Sequence, residues 1–297
     1  MKRLAATLAA LLLLAGLSFQ GIAAQNASPA AGATPTSALL DALGYPTLSI
    51  AYDGTNVTLP ATLEAGRYMV DFSSTASAPP QVTFFLGATA DHSVDDILAA
   101  LQSADLSQGP PPIYYQVHVA GLSDSGAPTV VTLTPGDWAF AAIGDQGPAI
   151  AKLTVTGELP AFDPISGSVN VDLHEMVIDM PDTVPAGDHI WQVENTGSFV
   201  HVLSVAKVSG PITDEQLLNA LALEMGDPSA TPVADGSVGD PNNIQPVLDS
   251  GEFSNGLTQL FEMNLDPGTY VAICFLSGPG DVGMHAMDGM YKIFTVE

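Results

Sequence analysis

The landmarks of this chain occur twice, and that repetition constrains its fold more than any single stretch. Leu59-Pro60-Ala61-Thr62 followed by Ala65-Gly66 is echoed by Met180-Pro181-Asp182-Thr183 followed by Ala186-Gly187. Ser93-Val94-Asp95-Asp96 ahead of residues 97–101 matches Thr213-Asp214-Glu215-Gln216 ahead of residues 217–221. Both read as capping-box helix starts, in which a hydroxyl and a side chain three residues on satisfy each other's free amides. Leu133-Thr134-Pro135-Gly136 matches Leu265-Asp266-Pro267-Gly268, and each copy closes on a similar strand, 152–155 and 292–296. Short apolar segments with turn punctuation fill the gaps: 82–86, 114–119, 130–133, 138–143 and 151–156, then 169–173, 189–193, 200–208, 259–265, 270–275 and 291–296. Alternation with one short helix per copy predicts an all-β chain of two antiparallel β-sandwiches in tandem, residues 45–160 and 161–297, with the boundary in 160–166. Residues 226–254, rich in Gly, Pro, Asp and Ser, read as a long loop of the second copy.

The ends and the charge set the setting. Lys2 and Arg3, an apolar run over 8–17 and Ile22-Ala23-Ala24 make residues 1–24 a secretory signal, too short for a membrane span. Residues 25–44 read as a flexible leader, since 25 to about 40 are Ala, Ser, Pro, Thr and Gly with hardly a large apolar group. Removing the signal leaves Arg67, Lys152, Lys207 and Lys292 against 32 acidic residues, a charge of −28. No basic stripe exists to neutralise phosphates, so nucleic acid is excluded as a partner and an anionic membrane surface is a poor one. An exported chain with one cysteine, Cys274, makes no internal disulfide, so that thiol is an intermolecular link, a buried hydrophobe or a metal ligand.

Its neighbourhood favours the ligand. After the last Pro-Gly turn comes Tyr270-Val271-Ala272-Ile273-Cys274-Phe275, a loop, and Gly283-Met284-His285-Ala286-Met287-Asp288-Gly289-Met290 running into the final strand. Cys, His and Met thereby converge on one end of one sandwich. Mononuclear copper wants this set: two imidazoles and a thiolate in a plane, with a distant thioether on the axis. The second imidazole is available at His201, near the start of a strand of the same copy.

On these residues the last 130 or so positions resemble the cupredoxin (type 1, or blue copper) family, and the first copy does so more faintly. The resemblance implies Greek-key sandwiches, one copper per chain held by His201, Cys274, His285 and Met290, and single-electron transfer without catalysis. Two features depart from the plastocyanin pattern. The loop from Cys274 to His285 is longer, and Val202 follows His201 where plastocyanin-like proteins carry an Asn that ties the ligand loops together.

The first copy supplies an internal control. Aligned on the helices, Gln81 stands where the second copy has His201, and aligned on the Pro-Gly turns, Ala142 stands where it has Cys274. Its closing loop is shorter as well, 16 positions from Gly136 to Lys152 against 24 from Gly268 to Lys292. Met284 and Met287 stand as alternative axial ligands or as packing residues. His92, His118, His174 and His189 read as structural or surface residues, and Trp191, Phe199 and Phe275 as core or as an apolar shell. Three functions compete: an exported electron carrier or sensor with a basic redox-protein partner, a copper chaperone or store using the Met/His cluster, and a metal-free binding module. Six histidines with no His-x-His pair argue against an oxidase.

Overall fold

The computed structural model describes residues 38–104, 109–123, 127–144, 146–234, 236–237, 240, 243–278 and 283–297. The expected signal, residues 1–24, lies outside them. Helix α1 (Ala38–Ala42) opens the described chain. The first half continues with β1 (Thr47–Tyr52), β2 (Val57–Thr58), β3 (Thr62–Glu64), β4 (Gly66–Ser74), β5 (Val82–Gly87), α2 (Val94–Ser103), β6 (His118–Gly121), β7 (Thr129–Leu133), β8 (Gly136–Gly144) and β9 (Gly147–Thr156). The second half comprises β10 (Val169–His174), β11 (Val177–Asp179), β12 (Thr183–Val184), β13 (Gly187–Asn195), β14 (Ser204–Val208), α3 (Asp214–Glu224), β15 (Gln245–Asp249), β16 (Thr258–Leu265), β17 (Gly268–Ile273) and β18 (Tyr291–Val296).

The chain is all-β, two tandem sandwiches with one short helix each. Helices α2 and α3 begin as their sequences require: Ser93 and Thr213 accept from the amides of Asp96 and Gln216, whose side chains return the bond. The strand connectivity of the halves corresponds throughout. β1 pairs antiparallel with β2 and parallel with β4, as β10 does with β11 and β13. The register corresponds too. Gly87 faces Trp138 and Leu86 faces Ala139 in the first half, while Lys207 faces Tyr270 and Ala206 faces Val271 in the second. These are the pairs that the helix and Pro-Gly alignments of the sequence bring together.

The sandwiches are joined rather than merely adjacent. Among the described residues one eight-stranded sheet runs β11-β10-β13-β16-β7-β4-β1-β2 through both halves, joined where β16 pairs with β7, Leu260 against Val130. The sheets β12-β18-β17-β14-β15 and β3-β9-β8-β5-β6 complete the two layers. Trp191 packs on Phe294 and Phe72 on Phe140, and the main core is continuous across the halves. β7 is buried along its whole length because it lies mid-sheet and is covered on both faces.

Four local expectations change. Part of the expected leader is ordered as α1, because Leu40 is apolar enough to close the outer face over Val130, Ile190 and Leu260. Burying a leucine contributes about 2 kcal/mol, and the amides of Leu39 and Leu40 donate to the Glu262 carboxylate. Within the loop expected at 226–254, residues 245–249 pair with β14 as β15. The strand expected at 114–119 begins only at His118, since Pro111 and Pro112 lead into a 3-10 turn over Pro112–Gln116. The strand expected at 200–208 begins at Ser204, leaving His201 outside the ladder.

Candidate metal centre

The site forms where a hairpin opens. β17 and β18 pair from Gly268↔Val296 to Ile273↔Tyr291, and there the ladder ends. Cys274 follows at once, its amide donating to the carbonyl of Met290 (3.0 Å). Its own carbonyl accepts from Ala286 (3.0 Å), and the His285 amide donates to Leu276 (2.7 Å). The segment His285–Asp288 makes one 3-10 turn. Gly289, at φ 110°, then reverses the chain in a conformation only glycine adopts freely, and Met290 returns to Cys274. His201 comes from the opposite side. Its amide donates to Phe253 (3.1 Å) and its carbonyl accepts from Phe253 (2.9 Å), so a backbone pair fixes it just before β14.

Three expected ligands thereby meet. His201 and Cys274 are fully buried and His285 is 1% exposed. Nδ1 of His201 lies 3.8 Å and Nδ1 of His285 3.5 Å from the Cys274 sulfur, and the three donor atoms lie within 4.8 Å of one another. The rings stand edge to face, 5.2 Å between centroids. A metal held at about 2.0–2.3 Å by two imidazoles and a thiolate requires donor spacings of roughly 3.5–4 Å. The cluster meets that requirement for the two sulfur–nitrogen pairs. Among the described residues it is the group of its kind.

The environment is dry. Burial pushes the Cys274 thiol up to about 12, while the backbone amides of Val202 and Leu276 favour its thiolate. Burial, with the neighbouring His285, lowers His201 to about 4, so at neutral pH its imidazole is uncharged and its lone pair is free for a metal. A soft thiolate between two neutral imidazoles, with a buried thioether residue beside them, is a donor set that fits copper. Met290 is fully buried in the core that contains Cys274. The other methionines diverge from it: Met284 packs with Leu217 and Leu221 beneath α3, and Met287 is 38% exposed.

Several supporting residues were not anticipated. Asn195, fully buried, donates from Nδ2 to the carbonyls of Phe199 (2.8 Å) and Phe253 (2.7 Å) and accepts from the amide of Gly197 (3.0 Å). It binds the loop before His201 to the segment that pairs with it. Ser250 adds a second tie through its hydroxyl to the Leu203 amide (2.9 Å). The only sequence signal was Asn-Thr-Gly at a strand end. Gly197 leaves room: a Cβ there would lie 3.1 Å from His201 Nε2 and 3.0 Å from His174 Cα. Val202 contributes its amide to the Cys274 sulfur, a task needing no Asn side chain. Of the remaining aromatics, Trp191 belongs to the core, Phe199 is 45% exposed at 6.2 Å from the His285 ring, and Phe275 packs partly buried with Ile273 and Met284.

In the first half Gln81 and Ala142 occupy the corresponding places. Ala142 is still within the ladder, paired with Thr83 and Ala149.

No protein-family model matches the chain, and no curated protein is similar to it. Solved structures do align. Dithionite-reduced auracyanin from Roseiflexus castenholzii is 20% identical over 45% of this chain and 99% of its own, at a TM-score of 0.29. Auracyanin A, a "blue" copper protein from Chloroflexus aurantiacus, is 18% identical over 44% and 98%, at 0.27. A copper-containing nitrite reductase from Thermus scotoductus is 10% identical over 85% of this chain and 61% of its own, at 0.24. At such TM-scores these likenesses add nothing to the site, whose reading rests on its own side chains.

Proposed function

We propose that the protein is an exported mononuclear type 1 copper protein that carries or senses single electrons. The observation that carries this reading is the dry cluster of His201, Cys274 and His285, with Met290 tied by backbone bonds to both Cys274 and His285. When bound, copper supplies a Cu(I)/Cu(II) change of one electron. The chain's part is to hold the donors in one geometry for both oxidation states. His201 is fixed by Phe253, and Cys274 is fixed at its amide and carbonyl. Burial excludes water from both. The chaperone reading loses support because the three methionines have different surroundings: Met290 packs in the core with Cys274, Met284 packs beneath α3, and Met287 is exposed.

No helix of the described residues is long and apolar enough to cross a membrane. The acidic charge suits a basic redox protein as partner, drawn in by long-range attraction. The experiment is electron exchange between the copper-loaded protein and a small basic redox protein such as a cytochrome. Exchange is expected to be fast, reversible and slowed steeply as salt shortens the screening length to about 10 Å at 0.1 M. Salt-insensitive exchange together with rapid Cu(I) release to an acceptor would favour the store or chaperone.

A further inference from the structure

The first half, which supplies none of His201, Cys274, His285 and Met290, is hydrogen-bonded toward the metal centre through one short segment, residues 251–254. Strand β6 forms an edge of the first five-stranded sheet, and this segment docks on it. The Gly121 amide donates to the Glu252 carbonyl (2.6 Å), the Ser254 amide donates to Val119 (2.9 Å), and the Val119 amide donates to the Ser254 hydroxyl (2.8 Å). The Gln259 amide group closes the seam by donating to the Gly121 carbonyl (2.7 Å). On the segment's other edge, the amide and carbonyl of Phe253 are both spent on His201. Phe253 therefore bridges Ala120 of the first half and His201 of the second, and all three are buried.

We propose that the first sandwich, which supplies none of His201, Cys274, His285 and Met290, is a positioning element of the metal centre, setting His201 through the β6–Phe253–His201 backbone relay. This rests on the copper reading above. His201 precedes β14, so no ladder strand of its own sheet fixes its backbone; Phe253 does that, and the segment that carries Phe253 is held by β6 on one side and by Asn195 of its own half. The contact is close. A Cβ on Gly121 would lie 2.6 Å from the Glu252 nitrogen and 2.8 Å from its oxygen, both backbone atoms, so the segment would have to move. Residues that orient a ligand tune affinity and electronic structure without touching the metal.

The test uses the full chain with Gly121→Ala, Ser254→Ala and, as a control, Leu48→Ala, a core truncation in β1 at a residue that makes none of the seam's hydrogen bonds. In the copper-free protein, hydrogen exchange at the His201 amide is compared with the β14 amides Val205 and Ala206. Both seam variants should raise the His201 ratio about tenfold, as expected when a pairing that protects one amide is loosened. Leu48→Ala should leave it unchanged. In Cu(II)-loaded protein the seam variants should shift the thiolate-to-copper band and the copper hyperfine splitting, with the control at the wild-type values. The proposal is overturned if the seam variants match wild type in exchange or in spectrum, or if Leu48→Ala alters them equally. Should Gly121→Ala fail to fold, Ser254→Ala, the loss of one hydroxyl, decides. Absence of any copper band in wild type would remove the copper reading, and the exchange ratio would still decide the relay.

Discussion

The two halves share connectivity and register and differ at one hairpin. In the first half, β8 and β9 stay paired out to Gly144↔Gly147, and Ala142 is an ordinary rung. In the second, pairing stops at Ile273↔Tyr291, and Cys274, His285 and Met290 occupy the space beyond. The metal centre is thus the opened end of a hairpin whose counterpart stays closed. Replacing one residue type by another would not convert the first half into the second, because its ladder fills the place where a ligand loop would sit.

The largest effect expected is at Cys274. Cys274→Ser should abolish the thiolate-to-copper band completely while far-UV circular dichroism stays that of wild type, because no disulfide supports the fold. A surviving band would break the assignment of the site to the second half. Next, installing Gln81→His and Ala142→Cys together should leave the copper stoichiometry at one per chain, measured by metal analysis after desalting. A second tightly bound copper would show that residue identity, and not the opened hairpin, separates the halves.

Loading should also depend on pH. Because the Cys274 thiol is held at about 12, a metal must displace its proton, so apparent Cu(II) affinity should rise about tenfold for each pH unit between 5 and 8. His201 adds no proton of its own in that window, since burial holds it neutral down to about 4. Between 6.5 and about 4 this residue binds a proton in the unfolded chain and none in the folded one. It therefore costs the copper-free fold stability as pH falls through that interval. Titration against a competing chelator checks the affinity slope, and an affinity that falls with rising pH would contradict the thiolate. The smallest effect is expected at the axis: Met290→Leu should keep the band and cost less than about 100-fold in Cu(II) affinity, with the potential shifted upward as a weak donor to Cu(II) is lost. Voltammetry reads the shift, and loss of all copper would make Met290 a principal ligand.

Much of this was written in the residues. Ligand chemistry resides in side-chain identity, so a lone Cys followed by His and Met marked the loop, and the Gln81 and Ala142 comparison marked the half that carries it. Capping boxes at Ser93 and Thr213 fixed both helix starts because the cap is a local side-chain bond. β1 alternates buried and exposed residues along its whole length, a period-2 signal carried by Thr47–Tyr52 itself. The join of β16 to β7 was beyond reach, because the run Val130-Val131-Thr132-Leu133 announces burial without naming the strand that pairs with it. Phe253 was hidden for a related reason: it positions His201 through its amide and carbonyl, which every residue possesses.

The central claim is that one half alone binds copper, through a thiolate. Titrating the copper-free full-length protein with Cu(II) while recording its visible spectrum tests this most directly. An intense thiolate-to-Cu(II) charge-transfer band that grows linearly and saturates at one equivalent is predicted; no band at one equivalent, or continued growth to two, would contradict it.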